Sequence, residues 1–200
     1  MEIIVFFSLL LLVCCVPTNQ TAADSKALDQ QISNQQDIHA VLRELTASLA
    51  EQKVKIANLE KENQVKQVAF SASLLDQGDG GTGPFNTQVT LIFKHVVTNI
   101  GNAYNSGTGI FTAPVRGVYH FEWKVYGFGN TETGAVLFRN GDHIYVAYEH
   151  PSSGAVSASN AASLLLEAGD QVSVRLWANS RIHDNQNHHT TFSGHLIFTM

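Results

Sequence analysis

The stretch FKHVVTNIGNAYNSGTGIFTAPVRGVYHFEW, residues 93–123, decides the fold. It has no helical period. Short segments rich in Val, Thr, Asn and aromatic residues are separated by glycine-containing turns, the pattern of short strands rather than helices. Its last part opens a strand that reads on to Tyr126 as Gly117–Tyr126. The same texture continues on both sides. Val68–Leu75 alternates and reads as a first strand, and further strands are expected at Val89–Phe93, Gly134–Arg139, His143–Tyr148, Ala161–Leu166, Gln171–Ala178 and Thr191–Phe198. Asn140-Gly141, between two alternating runs, favours positive φ at both central turn positions and so predicts a hairpin. Many short strands joined by turns indicate an all-β sandwich or jelly roll over residues 68–200.

The spacing of Phe93, Asn99, Tyr104, Phe111, Gly117, Tyr119 and Phe121 resembles the signature of the complement C1q globular-domain family, whose fold is related to tumour necrosis factor. Trp123 departs from it, standing where the family prefers Phe or Tyr. The segments Thr108–Pro114, Ala168–Val172 and Thr191–Gly194 resemble the family as well. The resemblance implies a ten-stranded jelly roll that assembles as a tight homotrimer. It implies core positions for Phe93, Phe111, Tyr119, Phe121 and Phe198, where aromatic side chains bury much apolar area, and a backbone requirement at Gly117 and Gly169. Collagen-type Gly-X-Y repeats are missing, so the chain resembles the short C1q-like members of the family.

Residues 26–67 hold no Gly, Pro or aromatic residue. Leu28, Leu42, Leu49 and Ile56 fall on one heptad position, with Ile38, Leu45 and Leu59 on its partner. A 3.5-residue spacing buries one seam between wound helices, predicting an α-helical coiled-coil neck. Gln35, Gln52 and Asn63 on the seam cost stability and could set register. The alternative is one amphipathic helix packed on the head.

Ile3 to Val16 is an apolar run of 14 residues, shorter than the roughly 20 a helix needs to span a bilayer. It reads as a secretory signal peptide within residues 1–23, cleaved between 15 and 23, although Glu2 stands where a basic residue is usual. An uncleaved anchor is the alternative. Both cysteines, Cys14 and Cys15, lie inside it, so the mature domain is expected to have no disulfide and to rely on its core and on oligomerisation. Asn19-Gln20-Thr21 is a glycosylation sequon that a cut after Ala23 would remove. The expected location is extracellular, with no membrane insertion.

With 12 basic against 17 acidic residues, nucleic acid is excluded as a partner, because affinity for it comes from cationic contacts to phosphate. The sequence shows no nucleophile elbow, zinc-protease motif or dinucleotide fingerprint, and no enzyme is expected. Asp76–Pro84 reads as a loop by composition and lacks the endings of phosphate and calcium loops. Eight of nine histidines lie in the head. Residues 181–189 read as a polar loop whose Arg181, His183, Asp184, His188 and His189 are candidate ligand contacts, the bland alternative being a solvated loop. Some family members hold calcium near the trimer axis through a segment that here runs from Glu149 to Ser157. Glu149 keeps a carboxylate, but Ser157 stands where an acid is expected, so calcium is a weakened expectation and no other cofactor is implied. The leading expectation is a secreted homotrimer of innate immunity that recognises microbial polysaccharide or altered-self surfaces. A trimeric signalling ligand for a membrane receptor, or a structural component, are the alternatives.

Overall fold

The computed structural model describes residues 19–200. The signal-peptide reading of residues 1–18, with Cys14 and Cys15, lies outside them. A single helix, α1, spans Asn19–Val65. Its stretch free of Gly and Pro, filled with Ala, Leu, Glu, Gln and Lys, carries high intrinsic helix propensity. Leu28, Ile38, Leu42, Leu45, Leu49, Ile56 and Leu59 are each more than half exposed on it.

Thirteen strands follow among the described residues. One sheet joins β10 (Ala155–Leu166), β7 (Gly117–Phe128), β13 (Thr191–Thr199), β1 (Ala69–Ser73) and β4 (His95–Ile100), in that order. A second joins β5 (Tyr104–Asn105), β6 (Ile110–Thr112), β11 (Gln171–Leu176), β8 (Thr133–Arg139) and β9 (Asp142–Glu149), with β3 (Val89–Thr90) added alongside β11. A short ladder pairs β2 (Gly80–Thr82) with β12 (Ile182–Asp184). All pairings are antiparallel, giving the jelly-roll sandwich that the resemblance implied, though with thirteen strands, several only two or three residues long, in place of ten.

Alternation positions the core. Along β7, Tyr119, Phe121, Trp123 and Val125 point inward and are fully buried, while Glu122 and Lys124 point to solvent. Between the sheets Phe70 stacks on Tyr104 at 4.7 Å, and Phe111 meets Phe121 edge-on at 5.1 Å. The Trp123 indole donates to the Ala135 carbonyl across the sandwich at 3.2 Å, so the larger ring is both accommodated and satisfied. Gly169 sits at φ +92°, in the left-handed region, and a Cβ on Gly117 would lie 2.6 Å from the Phe198 carbonyl oxygen.

Three expectations need correction. Phe198 is 53% exposed, because a bulge between Leu196 and Phe198 places it opposite Val118 on the outer face of β13. Asp76–Pro84 is not all loop: Gly80–Thr82 forms β2. Residues 181–189 are not all loop either, since Ile182, His183 and Asp184 form a buried strand.

Candidate functional site: a histidine- and aromatic-lined end of the sandwich

β1 begins at Ala69 and finishes at Ser73, and the ends of several strands converge where it finishes. The β2–β12 ladder carries the register Ile182 to Thr82, His183 to Gly81 and Asp184 to Gly80. Asp184 is fully buried and accepts two backbone amides, from Leu75 at 3.0 Å and Thr190 at 3.3 Å. The Thr190 hydroxyl donates to the His183 carbonyl at 2.8 Å and accepts the Tyr126 amide at 3.1 Å. Arg181 is held by its main chain: its amide donates to the Glu132 carbonyl, and its carbonyl accepts the Thr133 hydroxyl. The carboxylate of Asp184 and the hydroxyl of Thr190 are thus paired internally, whereas the buried Nδ1 of His183 has no hydrogen-bond partner.

Of the five candidate contacts, Asp184 therefore serves as an internal anchor with no exposed surface. His183 is nearly buried. Its Nε2 lies 2.8 Å from the Asp79 carboxylate and so carries the proton that it donates, and its ring packs edge-on to Phe128 at 4.8 Å. Arg181 is exposed, and His188 and His189 are half-buried. His189 stacks on Tyr126 at 4.5 Å. His188 stacks on His95 at 4.2 Å, with its Nδ1 2.6 Å from the Ser73 hydroxyl, and His95 Nδ1 is 3.4 Å from Asp76. A cleft of about 270 Å³ opens beside them, lined by Asp76, Gln77, Asn185, Gln186 and His188 among others.

Sequence reasoning missed Tyr126, Phe128, His95 and the two loop aspartates as members of this end. Tyr126 and Phe128 continue the strand that carries the aromatic signature, and that extension was the available signal.

Glu149 is exposed at the end of β9, paired through its backbone with Thr133, and Ser157 is exposed on β10 opposite Tyr126. Nearby, Glu132 lies 3.5 Å from the His150 ring. Local desolvation, with a smaller contribution from the Glu132 hydrogen bond and charge, raises the Tyr148 hydroxyl above its ordinary range. Among the described residues no three His, Cys, Asp or Glu side chains converge as a metal set. No described helix is long and apolar enough to cross a membrane.

The two sheets, with exposed polar and aromatic groups at one end, form a jelly-roll sandwich of the tumour necrosis factor-like fold class. The globular domain of zebrafish complement 1qA superposes with a TM-score of 0.53 at 21% identity, covering 67% of this chain and 99% of that one. The Eiger TNF of S. frugiperda gives 0.55 at 15% identity, covering 68% and 95%. The C1q domain model matches residues 69–197. Mouse complement C1q tumor necrosis factor-related protein 3 is 37% identical over 134 residues, 66% of this chain and 52% of that protein. The mouse C1q tumor necrosis factor-related protein 6 is 34% identical over 113 residues, covering 54% and 43%. The chain belongs to the C1q-domain family. It spans about half the length of the curated relatives it matches.

Proposed function

We propose that this chain is a secreted, non-enzymatic C1q-domain protein whose homotrimer recognises microbial or altered-self surfaces, polysaccharide above all. The observation that carries the reading is the pinned end of the sandwich, where amide, carboxylate and imidazole groups line a cleft beside stacked rings. Asn, Gln, Asp and His offer donors and acceptors in both senses, the chemistry that sugar hydroxyls require. The stacked faces of His189 and Tyr126 suit the apolar faces of pyranose rings. One cleft of this size binds weakly. Three copies on one assembly convert weak contacts into avidity.

The trimer is proposed from family membership and from the heptad seam, whose exposed Leu and Ile rows suit a like seam. Calcium at Glu149 stays within the proposal as a variable of the same experiment. The secreted protein is applied to immobilised bacterial polysaccharides and whole bacteria, with and without chelator, and its solution mass is measured by light scattering. Binding that is lost on substituting Gln186→Ala with His188→Ala, while the mass stays threefold, is the expected result. Saturable binding to a single cell type, with no glycan or microbe bound, overturns the reading in favour of a receptor ligand.

A further inference from the structure

A second polar cavity lies on the outer face of the other sheet. Along β11, Val172, Val174 and Leu176 are fully buried in the core, so Gln171, Ser173 and Arg175 project from the opposite face. β11 also changes neighbour there. Residues 171–173 pair with β6, whereas residues 175–176 pair with β3. Ile110, opposite Ser173, and Thr90, opposite Arg175, are thus contributed by two different short strands. A cavity of about 300 Å³ opens at this junction, walled by those four residues together with Asn140, Gly141 and Gln171.

The lining holds one cation and no carboxylate. The guanidinium carbon of Arg175 lies 4.1 Å from the centre of the Phe138 ring, a contact that restrains the group. Its Nε is buried, and no acceptor reaches it. Among the described residues no carboxylate lies within ion-pair distance of Arg175. A charge partly stripped of water and left unpaired costs free energy that a bound anion recovers. Asn140 is locked in the wall: its side-chain nitrogen donates to Asp170 at 2.9 Å, and its oxygen accepts the Gln171 amide at 2.8 Å. Asp170 is engaged there and by the Glu167 amide, with Arg139 acting on its charge.

We propose that this cavity is a binding site for an acidic saccharide, holding one carboxylate or sulfate group against Arg175 and the ring hydroxyls against Thr90, Gln171 and Ser173. An arginine meets a carboxylate or sulfate with two parallel N–H donors. Hydroxyl and amide side chains donate and accept, which sugar hydroxyls use and the aliphatic arm of an acidic peptide side chain does not. The volume is at the small end of ligand pockets and suits about one sugar ring. The site shares no lining residue with the histidine-bearing cleft, so it stands or falls apart from the reading proposed for that end.

The test is an NMR titration of the intact ¹⁵N-labelled chain with glucuronate, glucose, sodium sulfate and a polyglutamate peptide at constant ionic strength. It is followed at the Arg175 side-chain Nε–H and at the Gln171 and Ser173 backbone amides. Glucuronate is expected to shift these signals saturably, sulfate to shift them with weaker affinity, and glucose to leave them in place. Arg175→Gln, followed at the two amides, should weaken glucuronate binding at least about tenfold, and Arg175→Lys, which keeps the charge without the paired donors, by less. Gln171→Ala, on an exposed position, should weaken glucuronate about threefold and leave sulfate unchanged, and it serves if replacing Arg175 disturbs folding. Gln186→Ala with His188→Ala should leave glucuronate binding intact, so failure here and failure at the histidine end are read separately. No saturable shift with glucuronate overturns the site. Glucose binding as tightly as glucuronate overturns recognition of the charge. Sulfate binding as tightly as glucuronate means an adventitious ion only and overturns the saccharide. Tighter binding of the peptide overturns it in favour of an acidic protein segment.

Discussion

One carboxylate oxygen of Asp184 accepts the amide of Leu75, 109 residues away in sequence, while the other accepts the amide of Thr190. The chain leaving β1 and the chain entering β13 are thereby tied to one buried side chain. Removing the carboxylate leaves two amides without acceptors, a loss of about 2–3 kcal/mol. Asp184→Ala should shift the urea midpoint down accordingly, and Asp184→Asn, which keeps one carbonyl oxygen, by less. An unchanged midpoint for Asp184→Ala would show that the anchor carries no stability.

Tyr104 supports the opposite sheet contact. Its buried hydroxyl donates to the Phe93 carbonyl at 2.9 Å and accepts the Phe93 amide at 3.1 Å. Tyr104→Phe should cost about 1–2 kcal/mol in denaturant unfolding, since both backbone groups lose their partner. Burial pushes the hydroxyl pKa up to about 12 from 10.0. The folded state thus holds the proton longer than the unfolded chain does. The stability it contributes is whole below pH 10 and is lost as pH rises from 10 toward 12. Wild type should therefore lose more stability than Tyr104→Phe across that interval.

Asp170 behaves in the opposite sense. The Asn140 side-chain amide first, then the Glu167 backbone amide, hold its carboxyl below its ordinary value of 3.8. Its contribution is present above the unfolded value and disappears as pH falls through the lowered one. Asp170→Asn should be mildly destabilising at pH 7, and its melting temperature should converge on that of wild type as the pH falls well below 3.8. A gap that persists in acid would place the effect in packing instead.

The helix makes a prediction about concentration. With every seam residue exposed, an isolated helix would gain no burial, whereas an associated one gains roughly 1.5–3 kcal/mol for each Leu or Ile fully buried. The helical signal at 222 nm should melt at higher temperature as protein concentration rises. Leu42→Asp with Leu49→Asp should abolish that dependence and leave the Trp123 fluorescence of the head unchanged. Helix melting independent of concentration in wild type would count against self-association.

The aromatic period from Tyr119 to Trp123 made the central strand readable, and the absence of Gly and Pro made the helix readable, because both are strong local preferences. The β2–β12 ladder was not readable. Gly80, Gly81 and Thr82 have weak strand preference, and they pair because buried Ile182 and Asp184 hold the opposite strand in place. Phe198 was misassigned because a single bulge inverts the alternation, and local sequence does not mark it. For the candidate site, the histidine cluster stood out by composition. Its division into an anchor (Asp184), a braced ring (His183) and accessible groups (Arg181, His188, His189) depends on contacts with residues such as Asp79, Tyr126 and Phe128, which lie far away in sequence.

The β2–β12 ladder also separates what must stay fixed from what is free to vary. Next to it the chain turns through Gln77 and Gly78, where a Cβ on Gly78 would meet nothing within 4 Å although its φ of +91° favours glycine at that one position. Lengthening a loop held at both ends costs little, about 0.6 kcal/mol for each doubling. Descendants of this gene can therefore try new lengths at that tip without refolding the domain, and an engineer can graft a peptide there for the same reason.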